Sequence, residues 1–241
     1  MTTEATERLA VLIDAENVPA KHVAEIFEEV ATLGEAGLRR IYGDFSSSTL
    51  QGWSAEKLAK HAIVPHQQFP NTTGKNAGDI ALVIDAMDIL HSGRFGGFVL
   101  VSSDSDFTRL ASRIREQGLT VYGIGEEKAP KAFVQACNRF IYIENLKSMS
   151  ETAKGAQETS DQKPERTPNH AYQLIRNVVL TTKFSDGWAF EQFIERQLEK
   201  IYPDFDARSY GFSSLKDLVL GIDRFEVDDS NGNFRVRCKD K

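Results

Sequence analysis

Four aspartates stand where predicted strands end or predicted helices begin. Asp14 closes an apolar run, and Asp104 follows a second apolar run at residues 98–101. Asp106 and Asp79 each lie at the start of a predicted helix. The carboxyl ends of parallel strands meet at one edge of an α/β sheet, and ligands bind outside that edge. We therefore expect the four carboxylates to converge there.

The chemistry of such a cluster follows from its charge. Neighbouring carboxylates repel one another and raise each other's pKa values. A hard divalent cation relieves this repulsion, and Mg²⁺ accepts carboxylates together with several waters in octahedral geometry. A metal held in this way can activate water and stabilise the leaving oxygen in phosphodiester cleavage. Asn17, three residues after Asp14, is placed to orient a water or a phosphate.

Helix capping and the helix dipole explain some of these acids equally well when each is considered alone. Asp106 before a helix is a typical N-cap, and an acid in a first turn, such as Asp79, complements the helix dipole. Asp85 and Asp88 lie about 240° and 180° around the predicted helix from Asp79, so they do not share its face. It is the combination of four acids at topologically matched ends that favours a metal site.

Strands that alternate with helices predict the fold around these acids. The pattern is typical of a parallel sheet with helices on both faces. The helix that starts at residue 78 has little polar surface, and we expect most of it to be buried. The predicted strands cover residues 9–14, 38–42, 62–69, 98–101, 119–124 and 140–143.

The composition predicts a soluble protein of a reducing compartment. Of the 241 residues, 41% are hydrophobic and 27% are charged, which is ordinary for a globular protein. The N-terminal residues lack the apolar core of a signal peptide, and no apolar run approaches the roughly 20 residues that span a bilayer. The two cysteines lack metal-ligand spacing, so we expect a cytoplasmic location and no membrane association. A net charge of −6 argues against nonspecific coating of nucleic acid but allows a locally basic groove.

The composition changes at residues 148–167, which are rich in Ser, Thr, Glu, Gln and Lys. This change predicts a flexible linker between an N-terminal domain at residues 1–147 and a C-terminal domain at residues 168–241. Three amphipathic helices and a hairpin around Asn231-Gly232 predict that the second domain is a small winged-helix (α+β) domain.

Three segments resemble the signature motifs of NYN domains, a group of PIN-like ribonucleases. They are residues 14–17 (Asp-Ala-Glu-Asn), residues 74–86 (beginning Gly-Lys-Asn-Ala-Gly-Asp) and residues 102–107 (Ser-Ser-Asp-Ser-Asp-Phe). The resemblance spans about residues 8–146 and implies a PIN-like fold, ribonuclease activity, and Mg²⁺ or Mn²⁺ as the cofactor. The catalytic and metal-binding acids that it implies are Asp14, Asp79, Asp104 and Asp106, with Asn17, Ser102 and Asp85 in supporting roles.

One position departs from the family pattern. NYN domains often have Ser-Gly-Asp where this chain has Ser102-Ser103-Asp104. We expect the change to alter the turn slightly and to leave the acids in place.

Basic and hydroxyl side chains near the acids are candidates for RNA contact. A loop before the helix at residue 78 offers donors that could hold a phosphate, and the helix after residue 106 offers two arginines that could line a groove. Solvated loops and helix faces are the alternative explanation for each of them. The candidates are Thr73, Lys75, Arg109, Arg113 and Lys128.

The C-terminal segment resembles an OST-HTH, or LOTUS, domain over about residues 167–238. The more specific part is residues 210–212 (Tyr-Gly-Phe), which precede a Leu-x-x-Leu segment. The resemblance implies RNA binding or docking to a helicase-type protein partner. From residue 168 to the end there are 11 Lys and Arg against 12 Asp and Glu, so phosphate contacts alone would give modest affinity. Arg235 and Arg237 form a local basic strip on the predicted hairpin.

These observations leave different classes of function open. One is a metal-dependent ribonuclease with a C-terminal RNA-binding domain. The other is a noncatalytic RNA-binding or adaptor protein that keeps the acids as a remnant. The acids favour the enzyme, because an adaptor has no need to maintain their mutual repulsion. A DNA nuclease on the same fold is a third hypothesis.

Overall fold

Two apolar runs of the sequence form the central pair of strands in a six-stranded parallel sheet. β1 (Arg8–Asp14) and β4 (Gly97–Val101) are hydrogen-bonded neighbours, with Ile13 opposite Val101. Every residue of the pair except Arg8 is buried, as expected for strands that are covered on both faces.

A computed structural model of the chain describes residues 6–69, 77–146, 166–181, 187–229 and 233–239. The chain divides into two units, Met1–Lys147 and Ser148–Lys241. Most of the predicted linker at residues 148–167 lies outside the described residues. Within the described part of the chain, no helix has the length and apolar character needed to cross a membrane.

Further strands and helices surround the central pair in the N-terminal unit. The strands are β2 (Glu35–Gly43), β3 (Val64–Gln67), β5 (Thr120–Gly125) and β6 (Arg139–Tyr142). The helices are α1 (Val23–Leu33), α2 (Ala55–Lys60), α3 (Ala77–His91), α4 (Thr108–Glu116) and α5 (Lys131–Ala136). The strand order β3-β2-β1-β4-β5-β6 reverses between β1 and β4. At such a switch point the connections leave on opposite faces, and ligands bind in the crevice between them.

The helices form two layers, one on each face of the sheet, which confirms the predicted architecture. Alternation along β1 places Leu12 in the core that α3, α4 and α5 cover, and Ile13 in the core that α1 and α2 cover. The same alternation directs the next residue, Asp14, to the α3 side. The pattern of β1 therefore determines on which face of the sheet this acid lies.

α3 is less buried than its apolar sequence predicts. Leu82, Ala86 and Ile89 are buried, but Ile80 and Ile84 are 61% and 59% exposed. The expectation that most of this helix is buried is therefore wrong for its outer face. α3 belongs to an outer layer, so only one of its faces contacts the sheet, whatever the composition of the other.

Some predicted boundaries also differ from the structure. β2 begins at Glu35 instead of residue 38, and β3 covers only part of the predicted segment 62–69. Pro65 lies within β3. β3 is an edge strand, where a residue without a backbone N–H is tolerated.

The C-terminal unit has the predicted winged-helix layout, with helices packed on a small antiparallel sheet of order β7-β9-β8. Its described elements are α6 (Pro168–Thr181), β7 (Ala189–Phe190), α7 (Glu191–Ile201), α8 (Leu215–Leu220), β8 (Phe225–Asp228) and β9 (Arg235–Cys238). Ile175, Ile194 and Val236 are among its core residues. β7 is not predicted from the sequence, because two residues carry no recognisable alternation. The turn of the predicted hairpin, residues 230–232, lies outside the described residues.

The end of β5 packs against the chain that leaves β4. A Cβ atom at Gly125 would lie 2.4 Å from the carbonyl oxygen of Ser102 and 3.0 Å from Oγ of Ser103. Ser103 Oγ also accepts a hydrogen bond from Glu126 N–H at 2.8 Å, which ties the same two segments together. The absence of a side chain at residue 125 therefore lets the loop that carries Asp104 sit against β5.

We predict that Gly125→Ala lowers the free energy of unfolding by about 1–3 kcal/mol, the usual cost of overpacking. The new methyl group has to displace the backbone of Ser102, which is less yielding than a flexible side chain. Gly78→Ala is the matched control, because its Cβ would lie 3.7 Å from Cα of Gly43, an ordinary contact. Chemical denaturation of the three proteins measures the effect. Equal midpoints for wild type and Gly125→Ala would contradict the prediction.

Candidate active site

Asp14 is buried at the carboxyl end of β1, where four hydrogen bonds hold its side chain. Oδ1 accepts the backbone N–H of Glu16 at 3.1 Å and that of Asn17 at 3.4 Å. Oδ2 accepts the side-chain amide of Asn17 at 2.8 Å and the hydroxyl of Ser102 at 2.7 Å. Burial raises the pKa of Asp14 above its ordinary value, although the hydrogen bonds act in the opposite direction. The structure thus places Asn17 and Ser102 against the acid that they are predicted to support.

Ser102 and Asp104 connect the ends of β1 and β4. Ser102 Oγ donates to Asp14 and accepts the backbone N–H of Asp104 at 3.0 Å. Asp104 Oδ1 in turn accepts the backbone N–H of Asp106 at 2.9 Å and so caps the short 3₁₀ turn before α4. The N-cap that the sequence suggests at Asp106 is therefore Asp104, and Asp106 is exposed in the first turn.

Asp79 lies in the first turn of α3 and shares an electrostatic environment with the other acids. Its pKa is raised from 3.8 to about 6. Burial is the largest cause, followed by the charges of Asp14, Asp104, Glu16 and Asp106. Asp79 is thus under the influence of the other three predicted acids and of Glu16, which is not among the predicted site residues. Its place two residues after Asp14 in the first motif is the signal that could have identified it.

The donors of this cluster are carboxylate oxygens, which suit a hard divalent cation. As the side chains stand, no group of three or more His, Cys, Asp or Glu among the described residues could hold a metal ion. Mg²⁺ is commonly held through only one or two carboxylates and keeps several of its waters. The acids fit a hydrated ion of this kind. They do not fit the closed set of four protein ligands that is typical of structural zinc.

Asp85, the third residue predicted in a supporting role, fastens α3 to β2. It forms an ion pair with Arg40 and accepts a hydrogen bond from the hydroxyl of Tyr42. Burial opposes the ionisation of Asp85, but these contacts outweigh it and lower the pKa. α3 carries Asp79 six residues earlier, so this attachment positions the helix that presents the acid. Asp85 thus supports the cluster through the backbone of α3.

A cleft of about 720 Å³ opens beside the acids. Glu16, two residues after Asp14, lines the cleft, and so does Gly78, which directly precedes Asp79. Another part of its wall comes from residues 44–53, which follow β2. No pattern in the sequence marks this cleft, because loops that are far apart in the chain form its walls.

The predicted RNA contacts of the N-terminal unit differ in their surroundings. Thr73 and Lys75 lie outside the described residues. Arg109 and Arg113 are exposed on α4, and Arg113 forms a 3.4 Å ion pair within that helix. Lys128 lines the cleft and forms a 2.6 Å ion pair with a neighbouring glutamate. Pairing reduces the charge that Arg113 and Lys128 offer to a phosphate.

The basic strip on β9 is partly neutralised by acids on β8. Arg235 pairs with Asp228, and Arg237 pairs with Glu226. Both guanidinium groups also lie near the ring of Trp188, at 5.5 and 4.6 Å from its centroid. A phosphate that binds this strip has to compete with the ion pairs, which weakens the salt-dependent part of RNA binding.

Two family models match the chain in the order that the motifs predict. The NYN domain matches residues 8–144, and the OST-HTH/LOTUS domain matches residues 168–236. The chain belongs to the NYN family. NYN domains are part of the PIN-like nuclease superfamily, and the OST-HTH/LOTUS domain is an RNA-binding domain. Both resemblances indicated by the sequence are therefore confirmed.

A solved structure is also similar to this NYN protein. It is a protein of unknown function from Vibrio parahaemolyticus, with a TM-score of 0.49 and 22% sequence identity. The match covers 59% of the NYN protein and 96% of the other chain. No curated protein matches the chain.

We predict that Asp79→Asn stabilises the metal-free NYN protein, and more so as the pH rises from about 4 to about 6. The pKa of Asp79 is raised from 3.8 to about 6 on folding, so the folded chain favours the protonated acid. Ionisation therefore weakens folding. The loss of stability is absent below pH 3.8, grows through this window and is complete above about pH 6.

Thermal unfolding in EDTA across this pH window tests the prediction. Asp88→Asn, at an exposed position on the same helix, controls for the loss of one charge. Added Mg²⁺ should then stabilise wild type more than Asp79→Asn, because the cation binds the folded state. A difference in stability between Asp79→Asn and wild type that stays constant across the window would contradict the raised pKa of Asp79.

Proposed function

We propose that the NYN protein is a metal-dependent ribonuclease whose hydrolytic site is the acid cluster. The observation that carries the proposal is that Ser102 joins Asp14 and Asp104, which follow the adjacent carboxyl ends of β1 and β4. Both acids lie at the switch point of the sheet, where α/β proteins bind ligands. Membership of the PIN-like nuclease superfamily supports the same reaction class. The proposed ligands of Mg²⁺ or Mn²⁺ are Asp14, Asp79, Asp104 and Asp106.

The proposed ligands differ in their hydrogen bonds, and some of them have raised pKa values. Asp14 has a fixed orientation, because four donors surround its oxygens. Asp104 uses Oδ1 for the cap of the 3₁₀ turn. Asp79, whose pKa is raised to about 6, would hold a cation as the ionised carboxylate. A divalent cation held by these acids would supply an activated water and stabilise the leaving oxygen of a phosphodiester.

The proposed domain organisation is a nuclease domain at residues 1–147, a linker at 148–167 and an RNA-binding domain at 168–241. The RNA-binding character of the OST-HTH/LOTUS domain favours RNA over DNA as the substrate. Docking of a helicase-type protein partner to this domain is a separate proposal, and only the family resemblance supports it.

The second candidate function is a noncatalytic RNA-binding or adaptor protein. The observation that favours it is that the described residues form no ready-made group of three metal ligands. The enzyme is better supported, because the pKa of Asp79 is raised by burial and then by the charges of other acids, and such repulsion has no use in an adaptor.

We predict that Asp104→Asn lowers the rate of RNA cleavage by at least about 100-fold, because loss of an outer-shell partner of a metal already costs up to about 100-fold and Asp104 is a proposed ligand. Asparagine keeps the oxygen that caps the 3₁₀ turn and removes only the charge. The measurement is cleavage of labelled single-stranded RNA with Mg²⁺ or Mn²⁺, with RNA binding followed in parallel.

The controls separate the candidate functions. Asp88→Asn removes an exposed charge outside the cluster and should cleave like wild type. Equal cleavage by Asp104→Asn and wild type would point to a contaminant or to another site. Binding without cleavage by wild type would favour the adaptor, and faster cleavage of a matched DNA would identify a DNA nuclease.

A further inference from the structure

The cleft beside the acids has the size of a ligand site. Its volume of about 720 Å³ falls within the range of about 300–1,000 Å³ that is typical of small-molecule pockets. Val18, Leu50 and Trp53 supply apolar wall. The indole N–H of Trp53 donates to the carbonyl oxygen of Val18 at 3.3 Å, so it is already used. Polar recognition in the cleft therefore has to come from other residues.

The charge of the described lining residues disfavours a phosphate group as the occupant of the cleft. Glu16, Asp44 and Glu126 line it, and Lys128 is the one Lys or Arg among the described lining residues. Lys128 is paired with Glu126 at 2.6 Å. Among the described lining residues, a phosphate would meet more negative than positive charge, whereas a neutral group with N–H donors would meet acceptors. Of the parts of a nucleotide, the base has these properties.

Asp44 is a preorganised acceptor on the wall of the cleft. Its Oδ1 accepts the backbone N–H of Ser46 at 3.1 Å and the side-chain amide of Gln67 at 2.7 Å. The Ser46 hydroxyl donates to the same oxygen. Hydrogen bonds from Ser46, and then from Gln67, hold the pKa of Asp44 below its ordinary value. None of the described residues donates to Oδ2, which leaves that oxygen for a ligand.

We propose that this cleft binds one nucleobase of the RNA strand and that Asp44 selects a base with an exocyclic amino group. The inference rests on the proposed ribonuclease function for the identity of the strand. Oδ2 of Asp44 accepts an N–H of cytosine N4, adenine N6 or guanine N2. Uracil has a carbonyl oxygen, O4, in the place of cytosine N4, and the carboxylate repels it. Cytosine and uracil share ring size and sugar, so they give the sharpest comparison.

The test uses the full chain and free nucleosides. The chain has two tryptophans, and Trp188→Phe leaves Trp53, on the cleft wall, as the one reporter of tryptophan fluorescence. Cytidine and uridine are titrated separately, with excitation at the red edge of tryptophan absorption. We expect cytidine to bind at least about tenfold more tightly than uridine, the lower end of the effect of one hydrogen bond to a charged group.

Asp44→Asn, added to Trp188→Phe, tests whether Asp44 sets the preference for cytidine. The donors from Ser46 and Gln67 keep the asparagine oxygen in the place of Oδ1, so its amide N–H group replaces Oδ2. That donor matches O4 of uracil and repels the amino group of cytosine, so the preference should invert toward uridine. Asp88→Asn in the same background should leave the preference for cytidine unchanged.

The outcomes separate this inference from the ribonuclease proposal. Nucleosides contain no phosphodiester bond, so the titration does not depend on cleavage. Absence of a Trp53 response, equal affinities, or a preference that Asp44→Asn leaves unchanged would each overturn the base site, even if RNA is cleaved. A preference for cytidine that inverts in Asp44→Asn would support the site, even if no cleavage is found. If Asp44→Asn does not fold, the ratio of affinities with Asp44 intact still decides the question.

Discussion

The hydrogen bond between the hydroxyl of Ser102 and Oδ2 of Asp14 joins the two strands at which the sheet reverses direction. Both strands are apolar and buried, so polar atoms can be presented only beyond their ends. Burial of the charge on Asp14 would be unfavourable without donors around it, and the first motif and the end of β4 provide them. A shift of one residue in the register of β1 and β4 would turn these side chains to opposite faces. The site therefore depends on the register of the central pair.

The parts of this structure that sequence reasoning predicts are those with a local signal. Continuous apolar runs identify β1 and β4, and the acids at their ends follow from position alone. The burial of α3 could not be read in the same way, because exposure of Ile84 depends on which layer the helix occupies. The partners of Asp85 come from side chains on β2, which are more than 40 residues earlier in the chain. Spacing within one helix contains no information about such partners.

The cleft beside the acids and the N-cap of the 3₁₀ turn are two further features that the sequence does not predict. The cleft is formed where the loops after β1 and β2 meet the start of α3, so its lining is a property of the topology. The choice between Asp104 and Asp106 as the cap depends on backbone geometry over two residues, which composition cannot resolve. By contrast, Glu16 was visible in the first motif, and only its electrostatic effect on Asp79 needed the structure.

Ser103 links two parts of the molecule that serve different purposes. Its hydroxyl accepts the backbone N–H of Glu126, a residue of the cleft wall, and its main chain leads directly into Asp104. A mutation at this position would disturb the acid loop and the wall together. Replacement of Ser103 by the glycine that is usual in the family would remove the hydrogen bond to Glu126 and so alter both segments at once. Residue 103 therefore links the loop of Asp104 mechanically to the wall of the cleft.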